Sequence, residues 1–172
     1  MDTFDTILNR RSIRQFEASV IPKEDLIKIV NAGRLAATGS NKQPWDFIVV
    51  TDRAMINRFK SVRRWIGTAS AVIVVVMDPK SRWWVQDGSA AIENMCLAST
   101  ALGYGSCWVE GDVLLREEEI KLILGIPSHK RLMALIPWGF QRKSLIPRRK
   151  LWNRCFTGRS INSYDALKIP LY

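Results

Sequence analysis

Arg10, Arg11 and Arg14 crowd three guanidinium groups and the Ser12 hydroxyl into five residues that contain no acid. Such a set offers positive charge and fork-shaped donors, which suits a phosphate. Farther on, Asn41-Lys42-Gln43-Pro44-Trp45 offers two carboxamides, then a turn-forming proline and an aromatic that leads into an apolar run. Carboxamides pair donors with acceptors, the complement of a flat polar heterocycle. Together the two segments suit a nucleotide-like cofactor with a phosphate tail, and flavin mononucleotide (FMN) fits best.

Three accounts compete for the arginines. A helix end in solvent welcomes cations, which complement its dipole. A nucleic-acid surface wants the charge continued as a stripe with exposed aromatics. An anion pocket wants a second basic group converging from elsewhere, and Pro147-Arg148-Arg149-Lys150 supplies one, within a stretch (120–164) that has no Asp or Glu. An unpaired guanidinium costs several kcal/mol to bury, so it needs solvent or an anion. A phosphate brings about −1.5 to −2 charges, and each charge-assisted hydrogen bond contributes roughly 1.5–3 kcal/mol. These magnitudes set the pocket modestly ahead of the solvated face.

Other chemistries lack their parts. His129 is the only histidine and follows Pro127-Ser128 in an expected loop, so a multi-histidine metal site is excluded and no metal is expected. Ser40 and Ser106 have no evident base, which leaves a catalytic triad unsupported. Gly103-Tyr104-Gly105 follows a helical pattern and completes no dinucleotide fingerprint. Cys96, Cys107 and Cys155 are odd in number with no C-x-x-C pair, which reads as reduced thiols in a cytoplasmic protein. No side chain is equipped for hard chemistry alone, which favours a cofactor that carries the reaction. The net charge of +10 keeps a nucleic-acid partner in view as the lesser reading. The acidic start Met1 to Asp5 is unlike an export signal, and the longest uncharged apolar run, Ala69 to Met77, is about half a membrane span, so no membrane partner is expected.

The elements that must position these residues are legible in the periodicity. The 172 residues, 47% apolar, support a single domain, 1–172, with 151–172 as a C-terminal arm rich in aromatics. Phe4, Ile7 and Leu8 share one face of a short helix that ends near the arginines. Pro22 sits where a first helical residue belongs, and Leu26, Ile27, Ile29 and Val30 form an apolar face that stops at Gly33. Trp45 to Val50 reads as a strand, with Asp52 placed to cap a following helix. Ala71 to Met77, β-branched throughout its middle, reads as a central strand covered on both faces. Val85 to Leu102 is the strongest helix, and its small residues suit either close packing in the core or a subunit contact. Ser106 to Val109 and Leu132 to Trp138 read as further strands, with a helix from Arg116 to Leu124 between them. The seven Trp exceed what packing demands, and Arg82-Trp83-Trp84 is read as core or subunit contact ahead of a substrate-pocket wall.

On these motifs the chain resembles the FMN-dependent nitroreductase family in its short single-domain form. The likeness begins with Arg10-Arg11-Ser12-Ile13-Arg14-Gln15-Phe16 and continues through Ser40-Asn41-Lys42-Gln43-Pro44-Trp45 to Leu102-Gly103-Tyr104-Gly105-Ser106-Cys107-Trp108. Leu124-Gly125-Ile126-Pro127, Gly139 and Pro147-Arg148-Arg149-Lys150 complete it, covering about residues 1–150. One departure is plain: Ala36-Ala37-Thr38-Gly39-Ser40 lacks the proline usual in that loop.

The resemblance implies an α+β fold, a central mixed or antiparallel sheet flanked by helices, built as an intertwined homodimer with two flavins at the interface. It implies that Arg10, Arg11, Ser12 and Arg14 contact FMN, that Asn41 and Gln43 lie beside the polar edge of the ring, and that Cys107, Trp108, Val109, Glu110 and Gly111 run along its other side near N5. Arg148 and Lys150 close on the phosphate, and Arg14 is the candidate for charge stabilisation. The activity implied is a two-step exchange: NADH or NADPH reduces the flavin at N5, and a small-molecule electron acceptor such as a nitroaromatic or quinone takes the electrons. An FMN-binding carrier or sensor without steady turnover is the alternative. Nitroreduction, dehalogenation and enoate reduction are not separated by the sequence.

Overall fold

Strands β1 (Trp45–Val50) and β2 (Ala71–Met77) form where the β-branched runs predict them. In this computed structural model the described residues are 1–142, so Arg148, Lys150 and the arm 151–172 lie outside them. Strands β3 (Gly105–Ser106) and β4 (Arg131–Gly139) complete a sheet of order β1-β2-β4-β3, antiparallel at each pairing. Every residue of β2 is buried. A strand alternates its side chains between faces, so a central strand must feed two cores. Val72, Val74 and Val76 join one core with Ile56, Phe59, Ile66 and Ile120, while Ile73, Val75 and Met77 join the other with Ile29, Ile92, Met95 and Trp138.

Helices segregate accordingly. After α1 (Thr3–Asn9), helix α2 (Lys23–Arg34) covers the second core. The first core is covered by α3 (Arg53–Arg58) and by 3-10 turns at Phe59–Ser61 and Arg64–Thr68. Helix α4 (Trp84–Ala101) packs beside α2, and the short α5 (Gly111–Leu114) and α6 (Glu117–Leu124) close the opposite side. Asp52 caps α3 as its sequence position predicts, accepting the Met55 N–H at 2.8 Å. A bulge interrupts the β2–β4 register: Val75 faces Ala134 and Val76 faces Leu132, which leaves Met133 as the extra residue. Met133 is thereby turned toward α4, against Gly88.

Three expectations change. Pro22 is the N-cap of α2, not its first residue. Gly33 does not stop that helix; it lies inside it, where a Cβ would meet Met95 at 2.8 Å. The glycine thus serves close approach of α2 to α4, at a propensity cost of about 1 kcal/mol. The strand expected from Ser106 to Val109 is two residues, Gly105–Ser106, plus a separate bridge from Val109 to Leu135. Among the described residues no helix is long and apolar enough to cross a membrane.

Candidate functional site

The arginine segment leaves α1 and runs beside the end of the sheet. Ile13 N–H donates to Ser106 O at 2.8 Å, Ser12 bridges Ser106 in parallel, and Phe16 bridges Gln141. Ile13 and Phe16 enter the first core. Alternation then sends Ser12 and Arg14 to the side opposite Ile13. The guanidiniums have different tasks. Arg10 Nε pairs with Glu93 of α4 at 3.0 Å. Arg11 turns back on α1, donating to Leu8 O at 2.5 Å and Arg10 O at 2.9 Å, where a cation complements the helix C-terminus. Arg14 is exposed and among the described residues donates a single long bond, to Ser12 O at 3.4 Å.

Beyond β3 the chain keeps to the edge of β4. Cys107 N–H donates to Pro137 O at 3.2 Å, and Val109 exchanges bonds with Leu135 at 3.0 and 2.9 Å. Cys107 is buried, and burial pushes its thiol up while Arg14, Ser12 and Arg10 pull it down. The same neighbourhood holds Cys96, whose thiol is pushed up to about 11, chiefly by burial, with Ser106, Glu93, Arg10 and Cys107 around it. Arg10, Ser12, Arg14 and Cys107 therefore share one locality. The thiols there are neutral near pH 7. Trp108 carries a buried Nε1–H with no acceptor among the described residues. Glu110 is the N-cap of α5, and Gly111 is its first residue.

The amide loop is a strained turn. Ser40, Asn41 and Gln43 all have left-handed φ, 51°, 55° and 47°, which costs of order 1–3 kcal/mol each. Side chains around it hold that conformation. Asp87 Oδ1 accepts the Gly39 N–H at 3.0 Å, Thr38 Oγ1 accepts the Gln43 N–H at 3.3 Å, and Trp83 packs so closely that a Cβ on Gly39 would come within 2.4 Å of it. Thr38 and Asp87 here secure a loop without the usual proline. Gln43 Nε2 donates to Asn41 Oδ1 at 2.9 Å, so the two carboxamides are held as a pair, both exposed.

Helix α4 carries both halves. Its Asp87 anchors the amide loop and its Glu93 meets Arg10; six residues separate them, about 9 Å along the axis. Asn41 and Gln43 make no bond to Ser12 or Arg14 among the described residues. Arg148 and Lys150 lie outside those residues. Glu93 and Asp87 carry no sequence signal as site residues, since only the fold shows what they meet; Trp83, which the sequence offers as a pocket wall among other roles, packs against the amide loop. Among the described residues no cluster of His, Cys, Asp or Glu could hold a metal, and His129 is exposed.

The family model described as "Nitroreductase family" matches residues 7–64 and 59–140. A "Putative NADH dehydrogenase/NAD(P)H nitroreductase" of Archaeoglobus fulgidus is 42% identical over 147 residues, 79% of this chain and 83% of that protein. A protein of the same name from Methanothermobacter thermautotrophicus is 33% identical, covering 81% of this chain and 78% of its own length. Among solved structures, an FMN-dependent nitroreductase from Clostridium difficile superposes with a TM-score of 0.81 at 25% identity, over 91% of this chain and 99% of that one.

Proposed function

Because this chain belongs to the nitroreductase family and is an oxidoreductase, we propose that it binds FMN and passes electrons from NADH or NADPH to a small planar acceptor, such as a nitroaromatic or a quinone. Bound FMN supplies the chemistry, accepting a hydride equivalent from the donor and yielding two electrons to the acceptor. The observation that carries the reading is the shared locality of Arg10, Ser12, Arg14 and Cys107, created by the Ile13–Ser106 backbone bond.

The chain's own groups fit that cofactor. Arg10 and Arg14 supply positive charge for the phosphate end, joined by the Ser12 hydroxyl and, from outside the described residues, Arg148 and Lys150. Arg14 has the weakest internal hold of the three guanidiniums, so it is free to balance negative charge on the bound group. Asn41 and Gln43, paired and exposed, match the polar edge of a flat ring. Backbone groups from Cys107 to Gly111 line the other side, and the unsatisfied Trp108 Nε1–H is a donor ready for an acceptor. Cys107 stays protonated and serves as a neutral wall. The second proton needed by the acceptor comes from solvent.

A cofactor that needs both the arginine and the amide sets is served by two copies of the chain, each lending one set. The exposed apolar residues Phe4 (78%) and Leu8 (65%) on α1 support such a homodimer. The test is donor oxidation by the FMN-loaded protein against a panel of quinones and nitroarenes. Acceptor-dependent turnover with the parallel-line kinetics of a two-step exchange is expected. A protein that holds FMN yet oxidises neither donor with any acceptor is instead a flavin carrier.

A further inference from the structure

Arg82 and Trp83, just ahead of α4, border the amide loop. The indole edge lies against Gly39, as the 2.4 Å approach to its absent Cβ shows, and Asp87 fixes the same glycine to the start of α4. Trp83 remains 44% exposed. The Arg82 guanidinium sits over its ring, 4.7 Å from the centroid. No carboxylate pairs with Arg82 among the described residues. The acids closest in sequence are engaged elsewhere: Asp78 approaches Lys130 at 3.9 Å and accepts the Lys80 N–H, and Asp87 is buried on Gly39. An unneutralised cation is thus held on an open aromatic ledge beside the paired carboxamides.

We propose that Arg82 and Trp83 select the electron acceptor, and that the favoured class is planar aromatic carboxylates, of which nitrobenzoates are the simplest. The inference rests on the flavin reading above, since it is the ring edge at Asn41 and Gln43 that brings an acceptor to this ledge. The acceptor carboxylate meets the guanidinium fork, which stacking over Trp83 keeps oriented, and the acceptor ring packs on the part of the indole that Arg82 leaves open. The same charge disfavours cationic acceptors, and the net charge of +10 raises the encounter rate of anionic ones.

The experiment uses the FMN-loaded protein and two isosteric ligands, 4-nitrobenzoate and 4-nitrobenzamide. The ratio of their kcat/KM values is measured, and each is also titrated calorimetrically without electron donor; FMN affinity is measured for every variant. The wild-type protein is expected to favour the carboxylate. Arg82→Gln should cut the ratio about fivefold, the scale of a partly exposed ion pair. Arg82→Glu should reverse it, and Trp83→Leu should weaken calorimetric binding of both ligands. Wild-type protein with FMN and turnover but no carboxylate preference, or an Arg82→Glu ratio equal to wild type, overturns the inference. Wild-type protein that takes up no FMN overturns the flavin reading itself.

Discussion

Three arginines within five residues look equivalent in a sequence and are not equivalent in the fold. Arg11 donates to the Leu8 and Arg10 carbonyls at the end of α1, whereas Arg14 has one long bond among the described residues and is exposed. Arg14→Gln should therefore weaken FMN binding by about tenfold or more, the scale of one charge-assisted hydrogen bond. Its denaturant midpoint should barely move, as befits an exposed side chain. Arg11→Ala should do the reverse, costing about 0.5–1 kcal/mol of stability through the lost complement to the helix end, with a smaller loss of FMN affinity. Titration and urea unfolding of both variants check the pair. Residue types were enough to nominate the cluster, but not to divide its labour, because that depends on where each guanidinium finds a carbonyl or an acid.

At the scale of elements, α4 sets the geometry by holding the amide loop near its start and Arg10 near its middle. Asp87→Ala leaves the Gly39 N–H without its acceptor, which costs about 1–3 kcal/mol when the group is buried. A lower melting temperature is expected, with Asp87→Asn recovering most of it through its amide oxygen. Helix α6 gives the pH dependence. Burial is the largest influence on Glu117 and raises its carboxyl, but Arg131, the Leu132 N–H and Lys121 together hold it below its ordinary value of about 4.5. A depressed carboxyl contributes stability above that ordinary value and loses it as pH falls through the folded value. Melting temperature should thus fall with pH from about 4.5 downward, and Glu117→Gln should flatten that part of the curve while lowering stability at pH 7. The long elements were legible because periodicity reports burial: β2 and α4 lie within a residue or so of their expected bounds. What the periodicity missed is short or strained. Helix α5 and the 3-10 turns lack a full period to detect, and the left-handed run at Ser40, Asn41 and Gln43 is held by Thr38, Asp87 and Trp83, two of them more than forty residues away.

Across the whole molecule, two sets of polar groups are positioned with care and share no hydrogen bond among the described residues. Three left-handed residues are maintained to present a carboxamide pair, and a basic segment is stitched to β3 by backbone bonds. The two-sided sheet and its helices were readable from composition and period, and the family resemblance implied a plan of the site. The separation of its halves was not readable, since it follows from tertiary placement along α4. The proposed function requires that a flavin be the group that spans them. Titrating the purified protein with FMN, followed through the visible flavin band and its fluorescence, tests that most directly. Saturable uptake approaching one FMN per chain, weakened by Arg10→Ala far more than folding is, agrees with the account; a folded protein that perturbs neither band nor fluorescence contradicts it.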